Sequence, residues 1–150
     1  MNNYAIISEF NPFHKGHKFL IDSCRENGAS HITAIMSGNY VQRGDIAVLS
    51  KKIRTEMALK NGVDLVVELP LPYAVANAQV FARGGVGTAN KMGCVSNLAF
   101  ASECGNIEQL IKTADLTISE KFSTIFKAEI AKGISYPNAL NKAIESTNSE

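Results

Sequence analysis

The sequence has no tryptophan, only four prolines and only three cysteines in its 150 residues. Cys24, Cys94 and Cys104 are odd in number and form no C-x-x-C pair. That argues against a disulfide framework and a zinc ribbon, and for a reducing, cytoplasmic compartment. No apolar run reaches the roughly 18 residues of a membrane span. The start, Met1-Asn2-Asn3-Tyr4, lacks the basic and apolar regions of a secretory signal. Neither sign of charge dominates: fifteen Lys+Arg stand against fourteen Asp+Glu, a formal +1. This excludes a strongly basic nucleic-acid arm and an acidic tail. There is no G-x-x-x-x-G-K-[ST] phosphate loop and no G-x-S-x-G nucleophile elbow. Gly85-Val86-Gly87 imitates a dinucleotide fingerprint but lacks the third glycine and follows no strand. Close helix packing explains it better.

What is present begins with 45% hydrophobic residues, enough for a real core and for one domain, or part of a larger protein. Short apolar runs read as strands at 4–9, 31–36, 63–69 and 95–102. Helices are expected over 17–26, 51–60 capped by Ser50, 74–91 with a weak centre at Gly84-Gly85, 106–116, 120–132 and 137–145. Cys94 reads as a core residue. Strands alternating with helices, each apolar enough to be buried on both faces, predict an α/β fold with a parallel sheet flanked by helices. Ligands of such sheets sit beyond the carboxyl ends of the strands. The expected division is a first domain over 1–133 and the start of a further helical region over 134–150.

Charge is uneven. Residues 1–60 hold eight Lys/Arg and five Asp/Glu, a balance of +3, while residues 61–150 hold seven and nine, a balance of −2. Arg43, Lys51, Lys52 and Arg54 form a cluster that reads either as a solvated face or as a cradle for an anion. The loop after the first strand, Phe10-Asn11-Pro12-Phe13-His14-Lys15-Gly16-His17, favours the anion. It carries H-x-G-H between a predicted strand and a predicted helix, the context a phosphate site requires. Gly16 lets a nucleotide approach the backbone. His14 and His17 share one face of the first helical turn, where two imidazoles can donate to oxygens that gain charge in a transition state. Lys15 or Lys18 adds charge. A metal between the histidines would need a third ligand from Cys24, His31 or a carboxylate, none at a telling spacing. Two surface histidines in a turn are the plainer alternative.

The Asn-Pro-Phe-His-x-Gly-His loop resembles the H-x-G-H signature of the nucleotidylyltransferase superfamily. The blocks that follow narrow the likeness: Met36-Ser37-Gly38, Gln42-Arg43-Gly44-Asp45, Ser50-Lys51 with Arg54, Gly62-Val63-Asp64-Leu65-Val66-Val67-Glu68-Leu69-Pro70, Phe81-Ala82-Arg83-Gly84 and Ser102-Glu103-x-Gly105. Their succession, from about residue 1 to Pro137, resembles the tRNA(Met) cytidine acetate ligase family. The likeness implies a Rossmann-like nucleotidylyltransferase fold and a reaction. Acetate and ATP give acetyl-adenylate and pyrophosphate, and the acetyl group passes to N4 of the wobble cytidine of elongator tRNA(Met). It implies ATP, with Mg²⁺, acetate and tRNA(Met) as partners, and no membrane.

The family's ATP segment maps onto Ile7, Ser8, Glu9, Phe10, Asn11, Pro12, Phe13, His14, Lys15, Gly16, His17, Lys18, Phe19 and Leu20, with His14 and His17 catalytic. A family glycine at the end of the fourth strand is Ala101 here. Gln42, Arg43, Lys51 and Arg54 are candidates for acetate, pyrophosphate or tRNA backbone, since arginine suits bidentate anion contacts. Asp64 reads as a structural cap near the third strand, and Glu68 either faces the site or plays the same part. The superfamily's second signature, roughly I-S-S-T-x-x-R, is absent from these 150 residues. The chain therefore reads as an N-terminal portion of a longer enzyme. The alternatives are a small-molecule nucleotidylyltransferase and a non-catalytic nucleotide-binding fragment.

Overall fold

The computed structural model describes residues 2–148. By its contacts the chain forms two compact units, 1–101 and 102–150. The expected domain over 1–133 thus takes in helices of the second unit.

The first unit carries four parallel strands: β1 (Asn3–Ser8), β2 (His31–Ser37), β3 (Leu65–Leu69) and β4 (Asn97–Ala99), in the order β3-β2-β1-β4. Successive side chains of a strand point to opposite faces. Accordingly Ile6, Ile32, Ala34 and Met36 pack on one face against Ile21 and Cys24 of α1 (Lys15–Glu26) and Ala58 of α2 (Lys51–Lys60). Ala5, Ile35 and Leu69 pack on the other against Ala74 of α3 (Leu71–Ala74) and Ala89 of α4 (Ala78–Met92). The α/β class with a helix-flanked parallel sheet is therefore present.

Burial on both faces holds for the inner strands only. In β2 every residue after His31 is buried, whereas in β3 only Leu69 is. Strand β4 is three residues long, not the eight expected over 95–102, and none of the three is buried. Cys94, just before it, is exposed rather than in the core.

The helix expected over 74–91 is two helices. The break falls at 75–77, where the Asn77 side chain accepts from Val80 N–H and caps α4. Gly84 and Gly85 lie inside α4 without interrupting it, because each admits a close neighbour. A Cβ on Gly84 would stand 2.3 Å from Tyr73, and one on Gly85 would stand 2.6 Å from Ile7. Ser50 caps α2 as expected, accepting from Ile53 N–H.

The second unit is three helices, α5 (Ile107–Thr117), α6 (Glu120–Ala131) and α7 (Tyr136–Asn148). Asn106 and Ser119 cap the first two. Phe122 stacks on Phe126, and Tyr136 meets Phe126 edge-on. Ala139 and Ala143, fully buried on α7, give this bundle its close-packed seam.

Candidate active site

Because the strands are parallel, Ser8, Ser37 and Leu69 end at one edge of the sheet, and the segments following β1 and β2 lie side by side there. The loop after β1 turns through Phe10 at φ 45° and a cis Asn11–Pro12 bond. A non-glycine residue at positive φ is strained by on the order of 1 kcal/mol. Here the Phe10 ring, 0% exposed, anchors it in the core.

His14 ends the loop as the N-cap of α1. Its Nδ1 accepts from Gly16 N–H at 3.1 Å, and its own N–H donates to His17 Nδ1 at 3.2 Å. This is a capping box built from imidazoles in place of the usual serine and glutamate. The bonds have a chemical consequence. A ring whose Nδ1 accepts is the tautomer that carries its proton on Nε2. Both rings therefore keep an Nε2–H as donor. The rings stack with centroids 3.7 Å apart and planes 23° apart. Phe10 meets His17 edge-on at 4.9 Å and Phe13 lies 5.5 Å away. Burial, and then the neighbouring His14, lowers the His17 pKa below its ordinary value, so that ring stays neutral near pH 7. Gly16 serves His14 directly: a Cβ there would meet the ring at 3.0 Å.

The other residues singled out in the sequence divide into those the structure gathers and those it engages elsewhere. The Glu9 carboxylate accepts from Gln42 N–H at 2.6 Å, and Asn11 Oδ1 accepts from Val48 N–H at 2.7 Å. These bonds bring the loops after β1 and β2 together. Arg43 stands exposed at φ 69° in a 3₁₀ turn, Gln42–Gly44. Lys51 pairs with Glu68 at 2.7 Å, and Glu68 crowds so near Gly38 that a Cβ there would meet its Oε1 at 2.3 Å. Lys18 pairs with Asp22, while Lys15 and Phe19 are exposed. Ile7 lines an apolar groove of about 320 Å³ with Phe81, Leu98 and Phe100, and Ala101 is exposed. Ser8 accepts from Phe10 N–H, Pro12 is exposed and Leu20 packs against the core.

Arg54 differs from the rest of the basic cluster. It is 0% exposed, and its donors meet the backbone carbonyls of Leu49, Glu9 and Gly38. As placed, it presents no charge to a ligand. Asp64 is structural, bonded to Ile32 N–H and paired with Arg25. Sequence reasoning missed Asn39, whose side chain accepts from Lys51 N–H, and the aromatic packing of His17. Neither leaves a periodic signal; only the density of Asn and Phe around the motif hints at them. Among the described residues no three His, Cys, Asp or Glu groups gather to hold a metal. The neighbouring carboxylates of Glu9 and Glu68 are already bonded within the protein.

Comparison with known proteins fits this geometry. Residues 1–150 match the HIGH Nucleotidyl Transferase family. The tRNA(Met) cytidine acetate ligase of Clostridium novyi (strain NT) is 43% identical over 96% of this chain and 37% of that protein. Its counterpart in Bacillus velezensis is 44% identical over 95% of this chain and 35% of its own. The crystal structure of Thermotoga maritima TmcAL bound with alpha-thio ATP superposes with a TM-score of 0.89 at 38% identity, covering 96% of this chain and 36% of that one. The chain thus spans little more than a third of the relatives it matches. With the motif, the sheet and the imidazole pair in agreement over its length, the chain belongs to the HIGH nucleotidyl transferase family.

Proposed function

We propose that this chain supplies the nucleotide site of an ATP-dependent ligase that activates acetate as acetyl-adenylate and passes the acetyl group to N4 of the wobble cytidine of elongator tRNA(Met). The observation that carries the reading is the stacked His14–His17 pair at the start of α1. Relatives named tRNA(Met) cytidine acetate ligase and the ATP-analogue complex of one structural neighbour support the choice of substrates.

In the first step the acetate oxygen attacks the α-phosphorus of ATP and pyrophosphate leaves. Charge builds on the phosphate oxygens as the bond breaks. The Nε2–H groups of His14 and His17 are fixed donors for those oxygens, already oriented by the bonds their Nδ1 atoms accept. The helix dipole adds to their field. His17, held below its ordinary pKa by burial and then by His14, donates without giving up a proton. Lys15, Gln42 and Arg43 are the remaining candidates for holding phosphate or carboxylate around them. The groove beside Ile7 offers an apolar wall for a base. A Mg²⁺ travelling with ATP would take its ligands from phosphate oxygens and water, since these residues build no protein cage for it.

Incubation with ATP, acetate and tRNA(Met) tests the reading. Pyrophosphate should appear only with acetate present, and N4-acetylcytidine should form. Adenylyl transfer to a phosphorylated small molecule without acetate would replace it with the small-molecule nucleotidylyltransferase. ATP binding without either product would leave a non-catalytic nucleotide-binding module.

A further inference from the structure

We propose that Arg54 is a positioning residue: from beneath the site its guanidinium ties the loop after β1 to the loop after β2 and so holds the His14–His17 pair in place. The proposal rests on reading that pair as the nucleotide site.

Arg54 is the largest fully buried side chain of the chain's described residues. Its Nε donates to Leu49 O at 3.0 Å, one Nη to Glu9 O and the other to Gly38 O. Glu9 and Gly38 are each the first residue beyond the adjacent strands β1 and β2. Sheet pairing has ended there, so these carbonyls need another partner, and a buried carbonyl left unpaired is costly. A planar fork of five donors can serve three carbonyls from three segments at once; an ammonium on a flexible stem cannot hold that geometry. Burial lowers the Arg54 pKa, while the carboxylates of Glu9 and Glu68 favour its charge. The cation is thus compensated within the protein rather than offered to a ligand.

The connection to the imidazoles is short. Arg54 holds Glu9 O; the next residue is Phe10, at positive φ, and the Phe10 ring packs edge-on against His17. The same two loops are joined by Glu9 to Gln42 N–H and Asn11 to Val48 N–H, and Asn39 of the second loop accepts from Lys51 N–H at the start of α2. If Arg54 is the hub, releasing it frees all of these together.

The test uses the full chain as its gene encodes it, with Arg54→Lys. The sequence has three histidines, and His31 starts β2 at the opposite end of the sheet from His14 and His17. In Arg54→Lys the imidazole NMR signals of His14 and His17 should move while those of His31 stay. The ATP dissociation constant should rise tenfold or more. Adding Arg54→Lys to His17→Ala should weaken ATP binding little further, because the hub acts through that ring. A lower urea midpoint with unmoved His14 and His17 signals would make Arg54 a stabiliser of the fold alone and overturn the proposal. If Arg54→Lys fails to fold or moves all three histidines, amide exchange in the unmodified chain decides. The amides of Gln42, Val48 and Lys51 should open with one shared free energy; separate values would overturn the hub. The ligase reading fails on a different measurement, acetate-dependent pyrophosphate release, which leaves the imidazole signals free to report on Arg54.

Discussion

Two arginines fasten the two ends of one sheet, and they do it differently. At the amino ends of the strands, Arg25 donates to the carbonyls of Ala29, Ser30 and Gly62 and pairs with Asp64 at 2.6 Å. Its side chain is 34% exposed and that of Asp64 is 41% exposed. At the carboxyl ends, Arg54 also meets three carbonyls but is wholly buried, beside a residue at positive φ and a pair of stacked imidazoles. The first end is a closed structural join. The second is a join with donors left over, and the proposed chemistry is assigned to those leftover Nε2–H groups.

The contrast breaks if the two ends respond alike to substitution. The largest separation is expected from His14→Ala and His17→Ala, which should each slow adenylate formation by about 100-fold or more. Single-turnover pyrophosphate release measures it. The stability change should be far smaller, about 1 kcal/mol at His14 for the lost cap. Equal turnover in both variants would remove the histidines from the reaction. Next comes the mirror case: Arg25→Ala should lower stability by about 1–3 kcal/mol, since three carbonyls and a carboxylate lose their partner. Urea unfolding reports this, and the ATP dissociation constant should stay where it was. Ser50→Ala removes the N-cap of α2, which lies beside the carboxyl ends of the strands, at about 1 kcal/mol; amide exchange at Ile53 should rise first.

Acid should part the two ends with the smallest effects. His17 titrates below its ordinary value, about 6.5, so folding disfavours its proton. Its contribution to stability is complete above that value and is lost as pH falls through the lower folded one. Burial pushes the Asp64 carboxyl up, but the Ile32 N–H and Arg25 outweigh it and hold it below its ordinary value, about 3.9. That contribution is complete above about 3.9 and is lost as pH falls through the lower folded value. Amide exchange followed against pH should therefore show the loop after β1 loosening before the Arg25–Asp64 join. Simultaneous loosening would erase the distinction.

The sequence showed most of this layout where one physical signal dominated. β1 and β2 stand out because apolar side chains cover both faces, and α2 because Ser50 and Asn61-Gly62 mark its ends. β4 was read as a strand but too long, over 95–102, since an edge strand of three residues, none of them buried, has no pattern that marks its ends. The division between α3 and α4 hid behind Gly84-Gly85, which look like a helix breaker but are contact points for Tyr73 and Ile7. In the site, H-x-G-H was legible and placed His14 and His17 at once. Arg54 was legible only as charge. Its burial depends on segments far apart in sequence, which no local spacing reports.

The capping role of His14 leads to one more consequence. One edge of its ring grips the helix and the opposite edge faces outward, so a single side chain holds two posts. Amide side chains should tell the posts apart. Asparagine reaches about as far as Nδ1 and can keep the grip, while glutamine reaches toward Nε2 and can keep the outward donor. A protein with His14→Asn should then be sturdy and slow, and one with His14→Gln frayed at the start of α1 yet the quicker of the two.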